Sequence, residues 1–212
     1  MKRVFILLVF ALISTTITYA QKEIKPKLGK IESLYKKGEL IEAKEISDVS
    51  ISYEKTMNNP KTWYLRGLIY MALDTSASMV GVTNDALQTS ISSFNKSDAL
   101  SEDEDKDPFI TDDTGMPTTK TQQIESYWGF HYNKAATAFG EKDYINSITS
   151  FNNAALIKPY DTNSVINAGY AAVQAKLYDK AKSYFYRAIE LGSKDKDIRL
   201  ILIYVVATGQ NL

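Results

Sequence analysis

Aromatic and small residues recur at a fixed interval of 34 positions near the C-terminal end of the chain. Each copy contains an aromatic residue, a small residue, a second aromatic and a second small residue, at Tyr144, Ser147, Phe151 and Ala154 and again at Tyr178, Ala181, Phe185 and Ala188. Ala135 and Gly169 are separated by the same interval. Steps of three and four residues place each set on one helix face, so the pattern predicts stacked helix–turn–helix units.

The segments that carry this repeat, EKDYINSITSFNNAALIKP and AKLYDKAKSYFYRAIELG, resemble the tetratricopeptide (TPR) family. In such repeats, small residues let two antiparallel helices approach closely, and the aromatic residues fill the seam beside them. The resemblance implies an all-α fold, a right-handed superhelix of antiparallel helix pairs called an α-solenoid. It covers most of the chain after the N-terminal segment and is strongest in the last two complete units.

Aligned to this period, the chain has about four repeats and a partial one. The predicted units cover 24–59, 60–97, 118–159 and 161–192, and the partial unit covers 194–212. The first unit is degenerate, as terminal repeats often are, because one of their faces meets water.

In the first unit, helices are predicted over 26–37 and 39–55, with Gly38 at the turn between them. The second helix of the second unit is predicted over 84–97. The turn that precedes this helix is 11 residues longer than the repeat allows. This insertion departs from the family pattern.

The first helix of the second unit carries three residues that match the family's pattern. Trp63, Gly67 and Tyr70 stand where the family has an aromatic, a small residue and a second aromatic. Arg66 replaces the leucine that is usual between them. The helix start is marked by Asn59-Pro60, with proline in the first turn.

A polar, acidic connector over 98–117 separates the second and third units. Asp103, Asp105 and Asp107 alternate as in the opening of a calcium-binding loop. The glycine that such a loop needs is replaced by Pro108, and Thr114 stands where a bidentate glutamate should close it. A solvated acidic loop is the favoured interpretation, and a calcium-dependent module is the alternative.

The N-terminal segment, residues 1–20, predicts a secretory signal peptide. Lys2 and Arg3 precede an apolar run of ten residues, and small residues lead to cleavage after Ala20. A transmembrane anchor needs about 20 apolar residues, so we expect no stable membrane insertion after cleavage. The chain has no cysteine, which excludes disulfides, a cysteine nucleophile and a lipidated cysteine. The expected location is periplasmic or secreted.

Composition argues against catalysis and against nucleic acid binding. Basic and acidic residues are equal in number at 25 each, so no basic field attracts a polyanion. His131 is the only histidine and no phosphate-binding loop is present, so the sequence predicts no enzyme, no resident metal and no cofactor. His131 falls where the repeat often has an aromatic, and we expect it to pack in the core.

The TPR resemblance implies a protein or peptide partner in a concave groove lined by the first helix of each unit. The positions matching this groove are Tyr64, Leu68, Met71, Tyr132, Phe139, Ile166, Tyr170 and Gln174. Tyrosine suits such a surface because its ring buries area while its hydroxyl remains in water. The alternative for some of these tyrosines is packing between repeats.

The last segment, 194–212, predicts one more first helix that is apolar nearly all round. A capping helix should be polar on its outer face. We therefore expect either that the natural chain is longer or that a partner covers this helix. The resulting alternative to groove binding is a self-associating structural component of an envelope complex.

Overall fold

A computed structural model describes residues 25–102, 107–111 and 114–209 of the chain. The predicted signal peptide lies outside these residues. The helices are α1 (Leu28–Lys36), α2 (Leu40–Ser50), α3 (Pro60–Thr75), α4 (Ala86–Leu100), α5 (Lys120–Gly140), α6 (Tyr144–Ile157), α7 (Thr162–Gln174), α8 (Tyr178–Glu190) and α9 (Asp197–Gly209). A short 3-10 turn at Ala77–Met79 follows α3, and the strands β1 (Phe109–Thr111) and β2 (Pro117–Thr119) precede α5.

The helices form an α-solenoid of pairs, because α3 packs mainly on α4, α5 on α6 and α7 on both α6 and α8, and each pair contacts the next. The closest approaches occur at the small residues of the repeat. A Cβ atom on Gly67 would lie 2.5 Å from the ring of Phe94, and one on Gly169 would lie 2.7 Å from the ring of Phe185. The predicted all-α architecture of TPR-like helix pairs is confirmed, and these contacts explain why the pattern of small and aromatic residues recurs.

In three units, the turn between the two helices contains one residue with a left-handed backbone conformation. Gly38 has φ 74°, Lys142 has φ 63° and Lys176 has φ 59°. Each follows the first helix of its unit, and the Lys176 N–H donates to the carbonyl of Val173 at 2.9 Å. This geometry closes the end of a helix by pairing its last carbonyls. The 34-residue period therefore repeats in the backbone as well as in the side chains.

The end of α2 differs from the prediction. The helix stops at Ser50, not at residue 55, and turns continue to the start of α3. The Thr56 hydroxyl donates to the Ser50 carbonyl at 2.7 Å, and the Thr62 hydroxyl donates to the Thr56 carbonyl at 2.7 Å. In a longer helix the Ser50 carbonyl would accept a backbone N–H from the next turn. The Thr56 hydroxyl takes that place, and in this way a side chain competes with helical structure.

The connector is also more ordered than predicted. The helix α4 runs to Leu100, and β1 and β2 then form an antiparallel hairpin with Ile110 opposite Thr118. Ile110 is buried in the same core as side chains of α1 and α3, so the expectation of a solvated loop is wrong for this residue. Thr119 ends the hairpin and caps α5 in a reciprocal capping box with Gln122. The acidic residues Asp103 and Asp105 lie outside the described part of the chain.

The buried side chains form two large clusters and one small one. The N-terminal core joins α1 to α4, the hairpin, Tyr127 of α5 and Ile157 of α6. The C-terminal core joins α6 to α9, where Ile198 and Val205 attach α9 to its neighbours. Ala135, Phe151 and Ala168 form the small cluster. Within the described residues, no helix combines the length and the apolar character needed to cross a membrane.

Candidate functional site

The eight residues predicted to line a groove fall into two groups. Tyr64, Leu68, Met71 and Ile166 are at most 9% exposed, whereas Tyr132, Phe139 and Tyr170 are half-buried and Gln174 is exposed. The two groups come largely from different halves of the array. The second group has the exposed surface that a groove requires, whereas the first group is almost wholly covered within the protein.

Burial of the first group corrects the groove prediction for the N-terminal half. Tyr64 and Leu68 belong to the core that also contains Ile110 of the hairpin. The hairpin is further tied to α1, since the Lys36 ammonium donates to the Thr111 hydroxyl at 3.2 Å. The connector that interrupts the repeat thus packs over α1 and α3. Tyr64, Leu68 and Met71 thus pack inside the protein and do not line an open groove.

The second group lies on α5 and α7, around Tyr132. The Tyr132 ring packs edge-on against Phe151 of α6, with ring centroids 5.2 Å apart. The Asn167 amide donates to the Tyr132 hydroxyl at 2.8 Å and so joins α7 to α5. Partial burial raises the pKa of Tyr132, and the Asp161 carboxylate adds to this effect. The hydroxyl therefore stays protonated and can donate or accept.

Trp128 extends the same surface by one helical turn and was not singled out from the sequence. Its ring lies 4.8 Å from that of Tyr132, centroid to centroid, and the Lys158 ammonium lies 4.8 Å from its ring centroid. The indole N–H donates to Asp161 and to the Ser164 hydroxyl, each at 3.0 Å. The spacing of four residues from Tyr132 is the signal that could have identified it.

Tyr170 and Gln174 continue the surface along α7. The Tyr170 ring packs edge-on against Phe185, with centroids 5.6 Å apart. Burial raises the pKa of Tyr170, with a smaller effect from Asp195. Phe139 lies at the end of α5, where its ring packs against Tyr144 at 5.5 Å. We call the side chains of Trp128, Tyr132, Asn167, Tyr170 and Gln174 the α5–α7 surface.

His131 lies on another side of α5 and faces α3. Its Nε2 is 2.7 Å from the Asp74 carboxylate, and the Tyr127 hydroxyl donates to the same carboxylate oxygen at 2.8 Å. Burial opposes ionisation of Asp74, but the hydrogen bonds from His131 and Tyr127 outweigh it and hold the pKa of this carboxyl below its ordinary value. The two aromatic side chains are both buried. The trio joins the second and third units, with Tyr127 and His131 buried and Asp74 partly exposed.

The described residues contain no group of three or more histidine, cysteine, aspartate or glutamate side chains positioned to hold a metal ion. Of the three aspartates in the calcium-loop interpretation, only Asp107 is described. Its carboxylate accepts the Thr121 backbone N–H at 3.3 Å. In the structure, Asp107 therefore helps to satisfy the first turn of α5.

No protein-family model matches this sequence, and comparison with curated proteins finds no match. A comparison with solved structures finds several that are similar to this chain. MamA from Desulfovibrio magneticus RS-1 is 15% identical with a TM-score of 0.37, and the match covers 86% of this chain and 82% of that one. TTC0263, described as a thermophilic TPR protein in Thermus thermophilus, is 13% identical with a TM-score of 0.35, covering 85% of this chain and 79% of that one.

The 34-residue period, the glycine–phenylalanine contacts and the left-handed turn residues are properties of this chain itself. The glycine–phenylalanine contact occurs in the second and fourth units, and the left-handed turn residue occurs in the first, third and fourth. In fold, the chain is a TPR-like helical repeat protein.

Proposed function

We propose that this protein is a non-enzymatic protein–protein interaction scaffold of the cell envelope, and that it binds a partner segment on the α5–α7 surface. One observation carries the proposal. Half-buried aromatic side chains are held in fixed positions by hydrogen bonds between α5 and α7, notably Asn167 to Tyr132 and Trp128 to Asp161. Rigid aromatic side chains with a polar edge bury area on binding at a low entropic cost.

The envelope location is supported by the N-terminal segment. Its basic start, apolar run and small residues before Gln21 are typical of an exported precursor. Expression of the whole chain in a bacterium, followed by fractionation and N-terminal sequencing, tests this part. A mature protein that begins at Gln21 in the periplasm or the medium is expected, and an unprocessed cytoplasmic protein contradicts it.

The binding surface is tested by comparing variants of the mature chain in affinity capture from envelope extracts. A Tyr132→Ala/Tyr170→Ala variant should lose partners that the wild type captures. Tyr160→Ala is the matched control, because Tyr160 is 88% exposed in the turn before α7 and lies outside the surface. Circular dichroism must show that the double variant is folded. Identical capture by a folded double variant would count against the α5–α7 surface.

A second candidate function is self-association through α9. Its outer face exposes Leu200 at 66% and Ile203 at 67%, a spacing that places both on one side of the helix. Large exposed apolar side chains that lie together often mark an interface. Light scattering of the mature chain should then show a dimer or larger species, which Leu200→Ser/Ile203→Ser should convert to monomer. A strict monomer at high concentration excludes this candidate.

A further inference from the structure

The hairpin that closes the N-terminal half also forms one wall of a cleft. This cleft of about 740 Å3 lies between α1, the start of α3, the end of α4 and the first strand of the hairpin. It is distinct from the α5–α7 surface. Pro60, Pro108 and the exposed ring of Phe109 supply apolar walls.

The charge of the cleft is negative. Among the described lining residues, the carboxylates of Glu32, Asp98, Glu102 and Asp107 accompany a single ammonium, that of Lys61. Glu32 pairs with Lys61 at 2.7 Å and with Lys36 at 3.1 Å, and Asp98 pairs with Lys120.

Two lining carboxylates, Glu102 and Asp107, make no ion pair with any described residue. A cationic ligand can neutralise these two carboxylates without breaking an ion pair, although Asp107 also accepts the Thr121 backbone N–H.

The cleft also has a buried hydroxyl, that of Tyr64, with no partner in the described part of the chain. Tyr64 lines the cleft and is only 1% exposed, yet its hydroxyl has no hydrogen-bond partner among the described residues. Buried polar groups are nearly always paired, and one that is not calls for an explanation. Burial raises the pKa of this hydroxyl, and the nearby Asp107 and Glu32 charges add to the effect, so the group is neutral and its oxygen can accept a hydrogen bond.

We infer that the cleft binds a lysine or arginine side chain of a basic peptide segment in a partner protein. The aliphatic stem of such a side chain packs against Pro60, Pro108 and Phe109, while the charged head donates to the Tyr64 hydroxyl and to the carboxylates. An anionic ligand is disfavoured by the charge of the lining. A wholly apolar one leaves the Tyr64 hydroxyl unpaired and covers Glu102 and Asp107 without neutralising them. The inference goes beyond the proposed function, because the two surfaces can be occupied separately.

The probe is a fluorescein-labelled Gly-Lys-Gly-Lys-Gly peptide, with its Nε-acetyl-lysine form and its glutamate form as comparisons. Fluorescence anisotropy should show saturable binding of the lysine peptide to the mature chain. Acetylation should weaken it at least about tenfold, because the charged hydrogen bonds are lost. The glutamate peptide should not bind.

Tyr64→Phe is the decisive variant, since it removes one oxygen atom and changes no charge. It should weaken the lysine peptide by about tenfold or more, the range expected for a hydrogen bond to a charged group. Its melting temperature should equal or exceed that of the wild type, because the oxygen it removes is unpaired. Asp107→Asn should also weaken binding, whereas Glu141→Gln, an exposed change at the end of α5, should not.

The outcomes separate this inference from the proposed function. Unchanged peptide binding by folded Tyr64→Phe, or equal binding of the acetylated peptide, overturns the cleft as a site for a basic side chain. Tyr132→Ala/Tyr170→Ala should retain peptide binding while losing the captured partners. Loss of peptide binding in that variant would place the basic peptide on the α5–α7 surface and likewise overturn the inference.

Discussion

The repeat pattern makes a sharp prediction at Gly169, in the interior of α7. An alanine Cβ there would lie 2.7 Å from Cε1 of Phe185 and 2.9 Å from its Cζ. Carbon atoms in contact are normally about 3.5–4.0 Å apart, so the ring or the helix must move by roughly 1 Å. Phe185 is fully buried, and its ring cannot move into solvent.

Two opposing terms set the size of the effect of Gly169→Ala. Overpacking of a close-packed core costs about 1–3 kcal/mol. Replacing glycine by alanine inside a helix contributes about 1 kcal/mol in the other direction. Gly129→Ala isolates the second term, because Gly129 lies within α5 and nothing approaches its Cβ position within 4 Å. The free energies of unfolding of the two variants should therefore differ by about 1–3 kcal/mol, which is the overpacking term alone.

Urea denaturation followed by far-UV circular dichroism measures this difference. Since repeat arrays can unfold in parts, amide hydrogen exchange in α7 and α8 gives the local value. Gly169→Ala should cost less unfolding free energy when it is introduced into Phe185→Leu than when it is introduced into the wild type. The smaller leucine side chain leaves room for the alanine methyl group. Equal stability of Gly169→Ala and Gly129→Ala would refute the close approach of α7 and α8 as the reason for the repeat's small residue.

Other predictions concern buried polar groups and turns. Asp74→Ala leaves the Tyr127 hydroxyl and His131 without their shared acceptor, so it should cost about 2–5 kcal/mol in denaturation experiments. Because the pKa of Asp74 is held below its ordinary value, its stabilising effect is complete above about pH 4 and is lost as the pH falls through the native pKa. The free energy of unfolding of Asp74→Ala should therefore fall less steeply than that of the wild type in this acid range. Lys176→Gly should stabilise by about 1 kcal/mol because Lys176 has φ 59°, whereas Lys182→Gly, inside α8, should destabilise by a similar amount.

The helix pairs were predictable because their signal is local. Phe185 and Gly169 lie in adjacent helices of one unit, and a period of 34 residues displays the contact twice along the chain. The end of α2 was predicted five residues too late, because the signal that ends this helix is not periodic. The sequence up to residue 55 has helical character, but the Thr56 hydroxyl donates to the carbonyl of Ser50, where the helix ends. Such side-chain competition depends on a turn that no periodicity reveals.

The groove residues named from the sequence differ in burial. Tyr132 and Tyr170 are half-buried, whereas Tyr64 and Leu68 are buried in the core. The hairpin contributes to the same core, since its Ile110 packs with α1 and α3 although it is more than 40 residues from Leu68 in the chain. An acidic composition around a short apolar stretch indicates a loop, and only the folded chain shows that the stretch packs inward.

The hairpin thus gives the two halves of the array different surfaces. In a regular solenoid, each first helix contributes equivalent side chains to one continuous face. Here Ile110 of the connector packs in one core with side chains of α1 and α3, and Pro108 and Phe109 form part of the wall of a cleft that Tyr64 also lines. Beyond the connector, Trp128, Tyr132 and Tyr170 are half-buried. The interruption of the repeat therefore separates a cleft with several carboxylates in its lining from a surface with half-buried aromatic side chains.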